Sequence, residues 1–208
     1  MTICRRLTRW RSSKRFCTRG WPVASTAAKI STPLARAAFV RSMRRVASSV
    51  AVVTTDGSAG CHGATVSAFS SVSADPPMIL VCLLSGSRIA EAVAANGNLC
   101  INVLPQDRPD LANRFAGRDD HLVDDRFSGV DYYGVRGAAP EIDGATIFSG
   151  LVDQIIPAGS HSIVICHVQS VRDGCAAPLA YLDGSYHRVV PHIVPTDTSG
   201  HGVGNTAP

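Results

Sequence analysis

Short extended runs, each closed by a turn-forming pair, constrain this chain more than any other feature. Residues 49–55 (SVAVVTT) are β-branched and end at Asp56-Gly57. Residues 63–73 are rich in small hydroxyl side chains and stop at Pro76-Pro77. Residues 78–84 and 99–104 are apolar. Residues 145–156 and 161–171 flank the Pro157-Ala158-Gly159 turn, and 178–182 and 186–190 flank Asp183-Gly184. Runs of this length and composition between Gly, Pro and Asp read as strands. Helical spacing is confined to residues 34–47, 85–95 and 107–116. Thr32-Pro33 opens the first, Asn96-Gly97 closes the second, and Asp107 is placed to cap the third. Residues 119–144 are polar and turn-rich, which predicts a long surface excursion. The fold class expected is mainly β with a few helices, an antiparallel barrel rather than a doubly wound sheet.

Charge divides the chain. No acidic residue precedes Asp56, while twelve Lys or Arg lie between Arg5 and Arg45. Beyond that point eight basic residues face all sixteen acidic ones, a balance of about −8 that overrides the overall +4. Residues 1–33 therefore read as a basic extension without a fold, 34–191 as one domain, and 192–208 as a polar tail. Basic residues confined to an arm, with no reader motif, argue against nucleic acid as a partner. No run is apolar for the ~18 residues a membrane span needs. The extension also lacks the apolar stretch of a secretory signal. Seven cysteines, odd in number and without a C-x-x-C pair, argue against a disulfide framework or a zinc site. A cytoplasmic protein without a metal is expected.

Residues 63–77 (GATVSAFSSVSADPP) are where the sequence departs most from an ordinary strand. Hydroxyls and backbone N–H groups at this density hold phosphate oxygens without much positive charge. Strand alternation puts Thr65, Ser67 and Phe69 on one face and Val66, Ala68 and Ser70 on the other. On composition alone, a solvated edge strand accounts for the same residues.

The phrase G-x-T-V-S-A-F-S-S-V-S-x-x-P-P, after SSVAVVTT and before an apolar strand, resembles the flavin reductase family. Five further segments resemble the family in order. They are Ser85-Gly86-Ser87-Arg88, Cys100-Ile101-Asn102-Val103-Leu104, residues 111–117 (LANRFAG), residues 159–165 (GSHSIVI), and a closing hairpin through Pro178-Leu179-Ala180-Tyr181 and Gly184-Ser185-Tyr186. The resemblance covers about residues 36–190. It implies an FMN-binding split β-barrel that uses NADH, or NADPH, to reduce FAD or FMN. It also implies a homodimer that supplies reduced flavin to a partner flavin-dependent monooxygenase.

Roles for individual residues follow from the resemblance. Thr65, Val66 and Ser67 would run along the isoalloxazine, and Cys82 and Leu83 would support it. Ser70, Ser71, Ser85, Ser87 and Arg88 would hold the ribityl and phosphate part, with Ser87 also capping the next helix. Phe115 would touch the flavin or its adenine side. His161 and Tyr186 would lie on the nicotinamide side, His161 to position the dinucleotide rather than to move a proton. Departures from the family pattern fall at Ser160, Cys166 and the Ser149-Gly150 pair. The competing readings are a flavin- or haem-binding barrel without turnover, an oxidase of the pyridoxamine-phosphate type, and a flavoenzyme acting on another small substrate.

Overall fold

The computed structural model describes residues 33–192. The basic extension before Pro33 and the tail after His192 lie outside them. The elements in chain order are α1 (Pro33–Met43), β1 (Ser48–Ser49), β2 (Ala51–Thr55), β3 (His62–Val66), β4 (Phe69–Ala74), β5 (Pro77–Leu84), α2 (Arg88–Asn96), β6 (Asn98–Val103), α3 (Pro109–Phe115), β7 (Tyr132–Tyr133), β8 (Glu141–Ile142), β9 (Thr146–Ala158), β10 (His161–Arg172), β11 (Leu179–Leu182) and β12 (Ser185–Arg188).

Seven strands form one antiparallel sheet in the order β3-β2-β6-β9-β10-β5-β4. Its two edge strands, β3 and β4, are consecutive in the chain and joined only by Ser67 and Ala68. The sheet therefore rolls until its edges meet at that seam, where the Cys82 N–H of β5 donates to the Ala68 carbonyl. This corrects one expectation. Residues 63–73 are not one strand, and their alternation is broken at Ser67-Ala68, where the chain turns from one edge of the barrel to the other.

The barrel interior holds Ala51, Val53, Ile79, Val81, Leu83, Leu99, Ile101, Val164 and Cys166, closed at one end by Ile89 and Val93 of α2. A second core lies outside the barrel wall. Val50, Val52, Cys100, Leu104 and Ile147 pack there against Leu111, Ala112 and Phe115 of α3, Phe127, Val130 and Ile142 of the excursion, and Leu179 of β11. Strand β2 is thus buried on both faces, which is why SVAVVTT lacks polar alternation. The excursion at residues 119–144 is not merely a surface loop. It lays buried apolar side chains over the outer core and carries the β7–β8 hairpin. Buried Asn102 ties it down, accepting from the Ile142 N–H at 2.6 Å and donating to the Val52 carbonyl at 3.0 Å.

Helix ends follow local chemistry. Ser87 caps α2 by accepting from the Ala90 N–H, and Gly97, at φ 70°, takes the left-handed C-terminal position. The expected cap at Asp107 is not used. Helix α3 begins at Pro109, so the cap position falls on Arg108, whose guanidinium instead grips Asp110. Asp183 (φ 48°) and Gly184 (φ 86°) turn the β11–β12 hairpin with left-handed backbone at both central residues. Strand β1 joins that hairpin in a separate three-stranded sheet.

Candidate functional site

Two clefts open on either side of Thr65, Val66 and Ser67, the last residues before the seam. The larger, about 300 Å³, is lined by residues 64–68, by Cys82, Leu83 and Leu84 of β5, by Ser87 and Ile89 at the start of α2, and by His161 at the start of β10. The smaller, about 170 Å³, runs between the same three residues and Val50, Ala116, Arg118, Tyr181 and Tyr186. One short piece of strand therefore forms a shared wall.

That wall is held by packing and one hydrogen bond. The Thr65 hydroxyl donates to the Ala112 carbonyl of α3 at 2.7 Å. Two residues earlier, Gly63 sits directly over buried Phe115, and a Cβ there would fall 2.6 Å from the ring. No side chain larger than hydrogen fits, which accounts for the Gly that opens the hydroxyl-rich phrase. Ser67, beyond these anchors, is exposed.

The larger cleft ends at the N-terminus of α2. The loop reaches it through Gly86, at φ 73°. The Ser87 hydroxyl donates to the Leu84 carbonyl at 2.6 Å and accepts from the Ala90 N–H at 3.4 Å, so it shapes the turn. The first N–H groups of the helix lack partners within it and favour an anion. Arg88 is exposed beside them. The Ser85 and Ser162 hydroxyls bond across the β5–β10 edge at 3.1 Å. At the rim, His161 stands opposite Leu84, its Nδ1 2.9 Å from the Ser160 hydroxyl. Ser160, a departure from the family pattern, thus bonds the histidine ring directly.

The smaller cleft has an aromatic wall. The Tyr181 and Tyr186 rings lie 5.6 Å apart and tilted, and the Tyr186 hydroxyl donates to Asn113 Oδ1 at 3.0 Å. Burial raises the Tyr186 phenol above its usual range, while the nearby Arg118 charge pulls it back down.

The expected site residues divide accordingly. Thr65, Val66, Ser67, Cys82, Leu83, Ser87 and His161 come together around the larger cleft, although the Leu83 side chain points into the core. Ser85 and Arg88 adjoin it. Ser70 and Ser71 lie exposed on β4 and line neither cleft. His161 and Tyr186, expected on one side, line different clefts that share only Thr65, Val66 and Ser67. Phe115 is a correction. It is 1 % exposed, edge-on to Phe127 at 5.0 Å, and serves the outer core under β3 rather than a ligand. Arg118 and Tyr181 were not singled out from the sequence. Tyr181 lies inside the closing hairpin already notable, and Arg118 directly follows the notable segment 111–117.

The other departures also have a structural setting. A Cβ on Gly150 would fall 2.0 Å from the His167 carbonyl oxygen and 2.9 Å from the Cys166 sulfur. The His167 carbonyl, with the Cys166 sulfur beside it, therefore occupies the space that a side chain at position 150 would need.

An antiparallel sheet rolled until its edges meet along one seam is the split β-barrel class expected from the sequence. The chain belongs to the flavin reductase family, since the model of the flavin reductase like domain matches residues 43–189. The chain is 37% identical over 166 residues to an FMN reductase (NADH) RutF of Stutzerimonas stutzeri, covering 78% of this chain and 93% of that one. Among solved structures it is similar to the NADH:FAD oxidoreductase SgcE6 of Streptomyces globisporus, in complex with NAD and FAD fragments. There the identity is 28% and the TM-score 0.69, over 79% of this chain and 98% of that one. It is also similar to the flavin reductase of the styrene monooxygenase of Pseudomonas putida, at 25% identity and TM-score 0.65, over 74% and 99%.

Proposed function

We propose that the protein is a flavin reductase that oxidises NADH and passes the hydride to FMN or FAD. The observation that carries this reading is the shared wall. Two clefts meeting at Thr65, Val66 and Ser67 allow two planar cofactors to approach across one short strand. The larger cleft fits a flavin chemically. It offers open backbone along the seam for the polar edge of the ring and the N-terminus of α2 with Arg88 for its phosphate. Its volume of about 300 Å³ suits the ring portion of such a ligand. A bound flavin supplies the hydride acceptor, and the chain supplies position. Thr65, anchored on α3, keeps the wall rigid, Ser87 shapes the phosphate turn, and His161 at the rim orients the nicotinamide ring.

The test is NADH oxidation followed with and without added FMN, FAD or riboflavin. Flavin-dependent oxidation is expected, and its absence would overturn the reading. The variant His161→Asn should raise the KM for NADH about tenfold, the effect of losing one positioning contact, and leave the KM for flavin within about twofold. An equal change in both constants would remove the role given to His161.

We further propose that the protein is a homodimer and that its reduced flavin is consumed by a separate monooxygenase. Support for the partner comes from similarity to the styrene monooxygenase reductase. Support for the dimer comes from the exposed apolar residues Leu151 and Ile156 on the outer face of β9.

A further inference from the structure

We infer that Arg118 is the residue that holds the phosphates of the hydride-donating dinucleotide, seated along the smaller cleft against Tyr181 and Tyr186. The inference rests on the reading of the protein as an NADH-dependent flavin reductase. That reading sets the nicotinamide end beside His161, over the shared wall, and leaves the phosphates and adenine of the dinucleotide without a place.

Three observations carry it. Among the described residues, Arg118 is the only charged one lining either cleft. Its neighbours along the chain are already engaged: Arg108 with Asp110, Arg114 with the Ser128 carbonyl, and Arg126 with Asp120 and the Phe115 carbonyl. Among the described residues, no hydrogen bond or ion pair occupies the Arg118 guanidinium. Its backbone, by contrast, is fixed, because its N–H donates to the Asn113 carbonyl and so completes the end of α3 after the left-handed Gly117 (φ 78°).

The surroundings match a dinucleotide in kind. A diphosphate needs a cation with several donors, which a guanidinium provides in a fixed fork. The adenine ring needs an apolar aromatic surface, which the paired tyrosines provide. The Tyr186 ring is steadied by its hydroxyl bond to Asn113 at 3.0 Å, on the same helix that positions Arg118. A ligand lying along this cleft reaches Thr65, Val66 and Ser67 from the side opposite α2. The two cofactors would then enter from opposite sides of the wall and meet over it.

The experiment compares the wild-type protein with Arg118→Gln and Arg118→Lys, with Arg136→Gln as a control at an exposed arginine of the excursion. Each variant is assayed with NADH, with a dihydronicotinamide bearing a benzyl group in place of the nucleotide, and with FMN or FAD as acceptor. Arg118→Gln should raise the KM for NADH about tenfold, the effect of one charge-assisted hydrogen bond at a partly exposed site. Arg118→Lys should recover part of that loss. The phosphate-free donor should be far less affected than NADH, a split that a merely structural defect would not produce. An unchanged KM for NADH would overturn the inference, as would an equal loss with both donors. A raised KM for FAD alone would also overturn it, by giving the cleft to the adenylate half of the flavin. If the wild-type protein showed no flavin-dependent NADH oxidation, the parent reading would fall as well. An active wild type with an indifferent Arg118→Gln would sink this inference by itself.

Discussion

At the level of single residues, close packing explains features that composition does not. Gly150 lies where β9 and β10 shift register, and its missing side chain admits the His167 carbonyl. Because the obstructing atom is backbone, Gly150→Ala has no easy relaxation. It should cost about 3 kcal/mol of stability, measurable as a lower urea midpoint at unchanged m. Gly63→Ala should also destabilise, since the Phe115 ring beneath it is buried and packed against Phe127. Buried thiols give the molecule a pH signature. Burial pushes Cys100 up to about 12 and Cys166 up to about 11. In the unfolded chain both thiols ionise near their usual value of 9.0. The unfolded state then loses protons first as pH rises, so this contribution is full below pH 9 and fades toward the folded values. The urea midpoint should fall from about pH 9 upward toward pH 11, and Cys166→Ala should flatten that slope. A midpoint independent of pH would contradict the assignment.

At the level of elements, strand positions were legible because each run is apolar, β-branched and closed by a turn pair. The helices were legible too, although α2 starts at Arg88 rather than at 85. Less visible were features created by closure. Nothing local in the sequence marks Ser67-Ala68 as the seam, because the break in alternation follows from bending two edges together. Phe115 ends an amphipathic helix, and a helix alone does not reveal whether its last aromatic faces a ligand or a second core. Arg118 escaped notice because an arginine after a helix is normally solvated, and its setting depends on a hairpin 63 residues away at Tyr181. The α2 N-terminus supports a prediction of its own. Arg88→Gln should raise the KM for FMN several-fold, by about 1 kcal/mol, while riboflavin, lacking the phosphate, should be much less sensitive. Equal effects on both flavins would place the phosphate elsewhere.

At the level of the whole molecule, the described surface is uneven. Ile156 and Ile163 pair across β9 and β10 with their side chains turned away from the core residues Val164 and Val81. On the same outward face of β9, Leu151 is 48 % exposed and Ile156 is 41 % exposed. An apolar strand face of this kind is stable in water when a second subunit covers it. Ile156→Asp should convert a dimer to monomers by light scattering with little effect on the fold of each. A wild-type monomer at micromolar concentration would refute the proposed assembly.

The two-residue joint between β3 and β4 has a consequence for how such proteins diversify. It closes the cylinder and floors both clefts, so any lineage that preserves the architecture also preserves the wall they share. Inheritance then leaves only the margins free to drift: the α2 loop, the start of β10, the end of α3 and the terminal hairpin. New ligand preferences would arise there, through changes at surface positions, over a wall that selection for folding alone keeps intact.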